Sequence, residues 1–120
     1  MKFSTNKAIY MQIADLFCEN ILLKKWKENE RIPSVREIAV DLEVNPNTAL
    51  RSFLLLEEKE IIYNKRGVGY FVSEGGYNKT LALKEEFFIN NDLPELMKTL
   101  NLLSLTIADL EKLSKGSKKF

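Results

Sequence analysis

The sequence predicts a mainly α-helical protein with one small β-hairpin: a winged helix-turn-helix domain followed by a short C-terminal helical dimerisation region. Three observations carry that prediction. Residues 31–59 hold two short amphipathic helical patterns separated by a tight break. Two β-prone runs with glycines between them follow directly, and the rest of the chain keeps leucines and phenylalanines at helical spacing. Two helices across a tight turn, then a two-strand ribbon, is the order that puts one helix into a DNA groove with a loop beside it.

The first helix is expected from about Lys7 to Lys24, because Ile9, Ile13, Leu16, Phe17 and Ile21 recur on one helical face. Ser4, Thr5 and Asn6 offer caps before it. The polar stretch 24–30 reads as a connecting turn. Trp26 within it packs on the helical core or, in the alternative, forms an isolated platform for stacking bases. Ser34 with Glu37 three residues later is capping-box spacing and starts a second helix through about Leu42, with Val35, Ile38, Ala39 and Leu42 on its buried side. Asn45-Pro46 is the strongest helix start in the chain: asparagine is a favoured N-cap, and proline at the first position gives up an N–H that would have no partner anyway. The third helix runs from Pro46 to about Lys59, with Ala49, Phe53, Leu54 and Leu56 supplying most of its apolar contacts. Ile61-Ile62-Tyr63 and Tyr70-Phe71-Val72 bracket a glycine-containing hairpin turn.

These elements place a winged helix-turn-helix domain at residues 1–73, a linker at 74–76 (Glu74-Gly75-Gly76), a helical dimerisation region at 77–114 and a frayed tail at 115–120. Within the helical region one helix is expected from about Tyr77 to Asn90 and another restarting at Pro94 after Asp92-Leu93. A last helix is expected at Thr106–Leu113 behind a second capping box, Thr106 with Asp109. The rival reading is one continuous helix, since Leu96, Leu100, Leu103, Ile107 and Leu110 keep a 4-3 apolar spacing across Ser104.

Composition bounds the function. A chain of 120 residues with a 45% apolar fraction is enough for one folded domain and a short appendage. No apolar run approaches the roughly 20 residues of a membrane span, so no membrane partner is expected. The N-terminus lacks an export-type apolar stretch, and the expected location is the cytoplasm. Cys18 is the only cysteine, read as a small buried hydrophobe with redox sensing as the alternative, and histidine is absent. Imidazole catalysis, a Ser-His-Asp triad and a cysteine-based zinc cluster are thereby excluded, and no catalytic residue, metal or other cofactor is expected. Net charge is +1, and the first 76 residues are nearly balanced, so affinity for DNA depends on where the cations sit.

In a helix-turn-helix the first turn of the second helix approaches base edges while flanking groups hold phosphates. Here Asn47 can pair with an adenine edge, Thr48 can meet a thymine methyl or a phosphate, and Arg51 can reach guanine or phosphate. Free N–H groups at that helix start favour a phosphate. Arg36 is placed to clamp the backbone, and Lys65, Arg66 and Gly67 at the hairpin tip can enter the neighbouring minor groove. Each has a purely structural alternative: Asn45 caps with or without DNA, Arg36 can bridge to Glu37 or Asp41, and Lys65-Arg66 can be a solvated turn. A winged module that binds protein is the competing function, and duplex binding that falls with salt separates the two.

The residues at 32–39 (Ile32-Pro33-Ser34-Val35-Arg36-Glu37-Ile38-Ala39), at 44–48 (Val44-Asn45-Pro46-Asn47-Thr48), at Leu56-Glu57 and at 66–72 (Arg66-Gly67-Val68-Gly69-Tyr70-Phe71-Val72) closely resemble the DNA-binding domain of GntR-family bacterial transcription regulators. Ile9-Tyr10-Met11-Gln12-Ile13 is similar to that family's opening helix, and the resemblance covers about the first 73 residues. The short helical C-terminal part resembles the YtrA-type subfamily. That resemblance implies a double-stranded DNA partner, an appendage that mediates homodimerisation, and target genes that often include ABC transporters. It assigns DNA contact to Arg36, Asn47, Thr48, Arg51 and the Arg66-Gly67 wing. Three positions depart from the family pattern. Glu43 and Glu60 stand where glycine is usual, at positions expected to need a left-handed backbone. Leu50 stands where a polar or basic residue is common, leaving Arg51 as the only cation on the recognition helix.

The dimer interface is expected to comprise Phe87, Phe88, Leu96, Met97, Leu100, Leu103, Ile107 and Leu110, more apolar surface than a short helical appendage hides on itself. The alternative is packing against the same chain. The effector, if any, is left unknown by the sequence: Tyr77, Phe87 and Phe88 either line a small pocket or fill a core.

Overall fold

A computed structural model describes residue 3 and residues 6–116. Its elements run α1 (Ile9–Leu22), α2 (Val35–Leu42), α3 (Pro46–Glu58), β1 (Ile62–Lys65), β2 (Gly69–Val72) and α4 (Gly76–Phe87). A π-helical turn (Phe88–Asp92), α5 (Leu93–Leu102) and α6 (Ile107–Gly116) complete the chain. Residues through Ala82 form one compact unit and residues from Leu83 a second.

In the first unit, α1 is shorter than its apolar stripe suggests. It starts at Ile9 behind Ala8, which gives no side-chain cap, while Ser4 and Thr5 lie outside the described residues. The entry segment is tied down instead by Lys7, which pairs with Asp15 and accepts a bond at its carbonyl from the Gln12 amide, 2.7 Å. Both expected caps of the next helices are present. The Glu37 N–H donates to Ser34 Oγ and the Ser34 N–H to Glu37 Oε1, each at 3.1 Å, and Asn45 Oδ1 accepts from the Asn47 N–H at 2.8 Å.

Aromatic contacts make the core. Phe53 of α3 meets Phe17 of α1 edge-on at 5.0 Å and Tyr70 of β2 at 4.8 Å, and Trp26 lies 4.9 Å from Phe17. Trp26 is half-buried against Phe17 at the edge of the core and not a free-standing stacking platform, and Cys18 is buried. Leu54, expected in the core, is 48% exposed, because a helix that buries Ala49, Phe53 and Leu56 turns position 54 outward. Ser52 is buried in its place, and its hydroxyl contacts the Tyr10 carbonyl at 2.8 Å.

The hairpin pairs Ile62 with Val72 through Lys65 with Gly69. The stretch read as a plain turn before α2 supplies a further edge to it. Ile32 N–H donates to Tyr70 O (2.9 Å), Val72 N–H to Glu30 O (3.1 Å) and Asn29 N–H to Val72 O (2.7 Å), with Arg31 paired to Phe71. Periodicity misses this because a run so short carries no alternation.

Four helices end in the same way without glycine. Lys24, Glu43, Glu60 and Ser104 have φ of 60°, 54°, 60° and 56°. After each, the next N–H reaches the carbonyl five residues back: Lys25 to Asn20, Val44 to Ala39, Ile61 to Leu56 and Leu105 to Leu100, at 2.9–3.0 Å. The left-handed backbone expected at Glu43 and Glu60 is thus present and recurs at two further helix ends.

The stretch expected as a linker is a turn whose last glycine is already helical. Glu28 Oε1 accepts from the Gly75 N–H (2.9 Å) and Oε2 from the Tyr77 N–H (3.2 Å), so a carboxylate caps the start of α4. A Cβ on Gly76 would stand 2.9 Å from both the Ile61 carbonyl oxygen and Val72 Cγ1.

In the second unit, Pro94 does not restart the chain. Phe87 and Leu93 keep helical angles, and the wider π turn between them gives room for a proline ring that cannot donate a helical bond. The break near Ser104 is present: Thr106 N–H donates to Asp109 Oδ2 (2.8 Å) and Asp109 N–H to Thr106 Oγ1 (3.2 Å), the second capping box. Lys115 and Gly116, expected in a frayed tail, continue α6, while residues 117–120 lie outside the described residues. No helix among the described residues is long and apolar enough to cross a membrane.

Two substitutions measure these constraints by urea and thermal unfolding. Gly76→Ala is expected to destabilise the first unit by about 1–3 kcal/mol, because the added methyl meets backbone. Glu43→Gly is expected to stabilise by about 1 kcal/mol, a rise in Tm of roughly 4–8 °C for a domain of this size. No change in either variant would show that the backbone yields at that position.

Candidate nucleic-acid interface

Burying Ala49, Ser52, Phe53 and Leu56 leaves Asn47, Arg51, Leu54 and Glu58 as one outward stripe of α3. Asn47 is exposed in the first turn, with Arg51 one turn later on the same face and Thr48 half-buried beside it. One expectation for this helix start fails. Pro46 has no N–H, the Asn47 N–H is taken by the Asn45 side chain, and the Thr48 N–H donates to the Asn45 carbonyl at 2.9 Å. The donors that would have held a phosphate are already satisfied, so side chains must do the work.

Arg36 is exposed in the first turn of α2 and forms no ion pair among the described residues, so the bridge to Glu37 or Asp41 is not made. A cation near a helix N-terminus opposes the helix dipole, so Arg36 is poorly explained by stability alone. Glu37 is engaged elsewhere: hydrogen bonds from the Ser34 N–H and then the Ser34 hydroxyl hold its carboxyl below the ordinary value, with the charge of Arg31 as a lesser cause.

The wing tip is the turn Arg66-Gly67-Val68 between Lys65 and Gly69. The Val68 N–H donates to Lys65 O at 2.9 Å, and Gly67 sits at φ 78°, the left-handed third position of a type II turn. Lys65, Arg66 and Gly67 are all exposed there, and Lys65 Nζ lies 5.8 Å from the Phe71 ring. The wing is braced from below. Burial, and after it the charge and hydrogen bond of Glu57, raise the Tyr70 hydroxyl above its ordinary value, so it stays protonated between β2 and α3.

Two residues missed in the sequence belong with this set. Arg31 lies against the wing, its Nε 2.8 Å from where a Cβ on Gly69 would stand, and its charge is felt at Glu37 on α2. Tyr10 of α1 carries the Arg51 guanidinium over its ring, Cζ 4.0 Å from the centroid. Position before the Ile32-Pro33-Ser34 run is a weak sequence hint for Arg31; nothing in the spacing of α1 signals Tyr10.

The described geometry sets Arg31 against the wing base with its charge felt at Glu37, the neighbour of Arg36, and sets Arg51 of α3 over the ring of Tyr10 of α1. A family model for gntR-family bacterial regulatory proteins matches residues 9–72, the span of all these elements. The chain belongs to the GntR family. It is 38% identical over 73 residues to the HTH-type transcriptional regulator YhcF of Bacillus subtilis strain 168, a match covering 61% of this chain and 60% of YhcF. It is 35% identical over 89 residues to the HTH-type transcriptional repressor YtrA of the same organism, covering 74% of this chain and 68% of YtrA. A solved GntR-family transcriptional regulator from Listeria monocytogenes superposes with a TM-score of 0.79 at 28% identity, covering 97% of this chain and 100% of that one. The GntR assignment and the likeness to YtrA that the motifs imply are both borne out, and with them a DNA-binding transcription regulator that is not an enzyme. Tyr77 does line an open cleft of about 270 Å³ with Ile21, Lys24, Trp26, Lys27, Glu28 and Asn78, whereas Phe87 and Phe88 are exposed.

Proposed function

We propose that this GntR chain is a cytoplasmic, homodimeric, sequence-specific repressor that acts by occupying an inverted-repeat operator. The observation that carries the reading of bases is the outward stripe of α3, where Asn47 and Arg51 stand one turn apart on a helix whose opposite face is locked into the core. Asn47, with Thr48, reads bases; Arg36 anchors the phosphate backbone; Lys65, Arg66 and Gly67 add the wing contact. The likeness to the repressor YtrA supports repression, and the YtrA-type resemblance points to ABC transporter genes among the targets.

Pairing is supported by the second unit. Phe87, Phe88, Leu96, Met97, Leu103 and Ile107 are exposed and Leu110 is half-buried, a density of apolar side chains that suits a self-complementary two-fold interface. Leu100, expected in that interface, is only 3% exposed in the single chain and so adds almost nothing to the exposed surface. Two recognition helices related by such an axis require half-sites one helical turn apart, about 34–36 Å, or a multiple of it.

Selection of duplexes from a random pool, then a genome search with the recovered motif, identifies operator and targets. Arg36→Ala should weaken binding to every duplex and make the slope of log K against log salt shallower by about 1, the share of a single phosphate. Asn47→Ala should instead change sequence preference. Equal losses on all sequences in both variants would remove this division of roles. Sedimentation at micromolar concentration should give a dimer that Leu96→Asp dissociates; a stable wild-type monomer would overturn the pairing.

A further inference from the structure

Arg51 is the only Lys or Arg between Pro46 and Glu58, and the structure holds it closer to an aromatic ring than Lys24 or Lys65 lies to its own. It makes no ion pair among the described residues, although Glu58 lines the same shallow cleft, together with Tyr10, Leu54 and Leu55. Its guanidinium sits 4.0 Å from the centroid of the Tyr10 ring instead. The partner is fixed too. Tyr10 lies in the first turn of α1, and its carbonyl accepts from the hydroxyl of Ser52, the fully buried residue next to Arg51. The backbone of Tyr10 is thus tied by a hydrogen bond to Ser52, the neighbour in α3 of the arginine that its ring meets.

We infer that Tyr10 is a specificity-determining positioning residue, whose ring orients the Arg51 guanidinium for the paired O6 and N7 acceptors of a guanine in the major groove. This rests on the DNA-binding reading of α3. The chemistry favours a ring over a carboxylate for that task. An ion pair would neutralise the cation and occupy its fork of donors, whereas contact with an aromatic face leaves charge and N–H groups available. A free arginine side chain also loses roughly 2 kcal/mol of rotamer freedom when it is fixed, a cost that pre-stacking removes before DNA arrives. Orientation matters only for a two-point acceptor. A phosphate is satisfied by a mobile point charge, but a guanine edge discriminates only when both donors are aligned. Arg51 is four residues from Asn47 on the same face, which places it on the next stretch of the base edges that Asn47 approaches.

The test uses the full chain and the duplex recovered by selection, with each G·C pair of a half-site replaced in turn. Wild type should lose about 10- to 100-fold at one such pair. Tyr10→Phe, which keeps the ring, should retain that discrimination. Tyr10→Leu should reduce it to about 3-fold or less, with a larger loss of affinity on the cognate than on a non-cognate duplex, and Tyr10→Leu combined with Arg51→Ala should lose no more than Arg51→Ala alone. Should Tyr10→Leu fail to fold by circular dichroism, pentafluorophenylalanine at position 10 decides, since it keeps the ring's shape and reverses its quadrupole; the same loss of discrimination is expected. Full discrimination without the aromatic face, or an equal loss on all duplexes, would overturn the proposal. A wild-type chain that binds no duplex in a salt-dependent manner would instead overturn the DNA-binding reading beneath it.

Discussion

Phe53 is the contact on which the domain depends. Its fully buried ring meets Phe17 of α1 edge-on and Tyr70 of β2 at 4.8 Å, so one side chain joins the first helix, the recognition helix and the wing. With Ala49, Ser52 and Leu56 buried on the same face, α3 cannot rotate about its axis without exposing that core. Asn47, Arg51 and Leu54 face outward as the geometric consequence. The proposed interface is therefore the reverse side of the core, and its geometry is set by packing, not by the surface residues themselves.

The helix ends show how the same scaffold tolerates local cost. Lys24, Glu43, Glu60 and Ser104 all hold a left-handed backbone that glycine would adopt more cheaply, yet after each the next N–H closes the helix on the carbonyl five residues before it. At Glu60 the packing of the next residue helps hold this turn, since Ile61 is almost fully buried. Glycine is kept instead where space is the constraint. At Gly76 a side chain would meet the Ile61 carbonyl, and at Gly69 it would meet Arg31.

A net charge of +1 leaves this chain little nonspecific attraction for DNA, so the placement of a few cations has to suffice. Arg36 stands unpaired in the turn of a helix that disfavours it, Arg66 at the tip of a glycine turn, and Arg51 on an aromatic ring. Each retains its charge and donors because no carboxylate among the described residues has captured it. With so few cations in each protomer, the proposed pairing of two chains would add affinity by binding two half-sites at once.

The sequence by itself determined the elements whose signals are local. Capping boxes at Ser34 and Thr106 and the Asn45-Pro46 start are written within a few residues, because caps are satisfied by neighbours in the chain; the left-handed positions at Glu43 and Glu60 follow from the family resemblance. It also placed the family motifs, whose span contains Arg36, Asn47, Arg51 and the wing, the groups proposed to meet DNA. Tertiary structure alone decided what depends on distant residues meeting. Residues 29–32 form an edge of the wing only because Tyr70 and Val72 present their backbone to them. Leu54 faces outward because Phe53 wins the core, and Glu28 caps a helix that begins 48 residues later, at Gly76. The satisfied donors at the start of α3 and the ring beneath Arg51 belong to the same class. Periodicity reports which face of a helix is apolar, but not which polar group across the fold completes it.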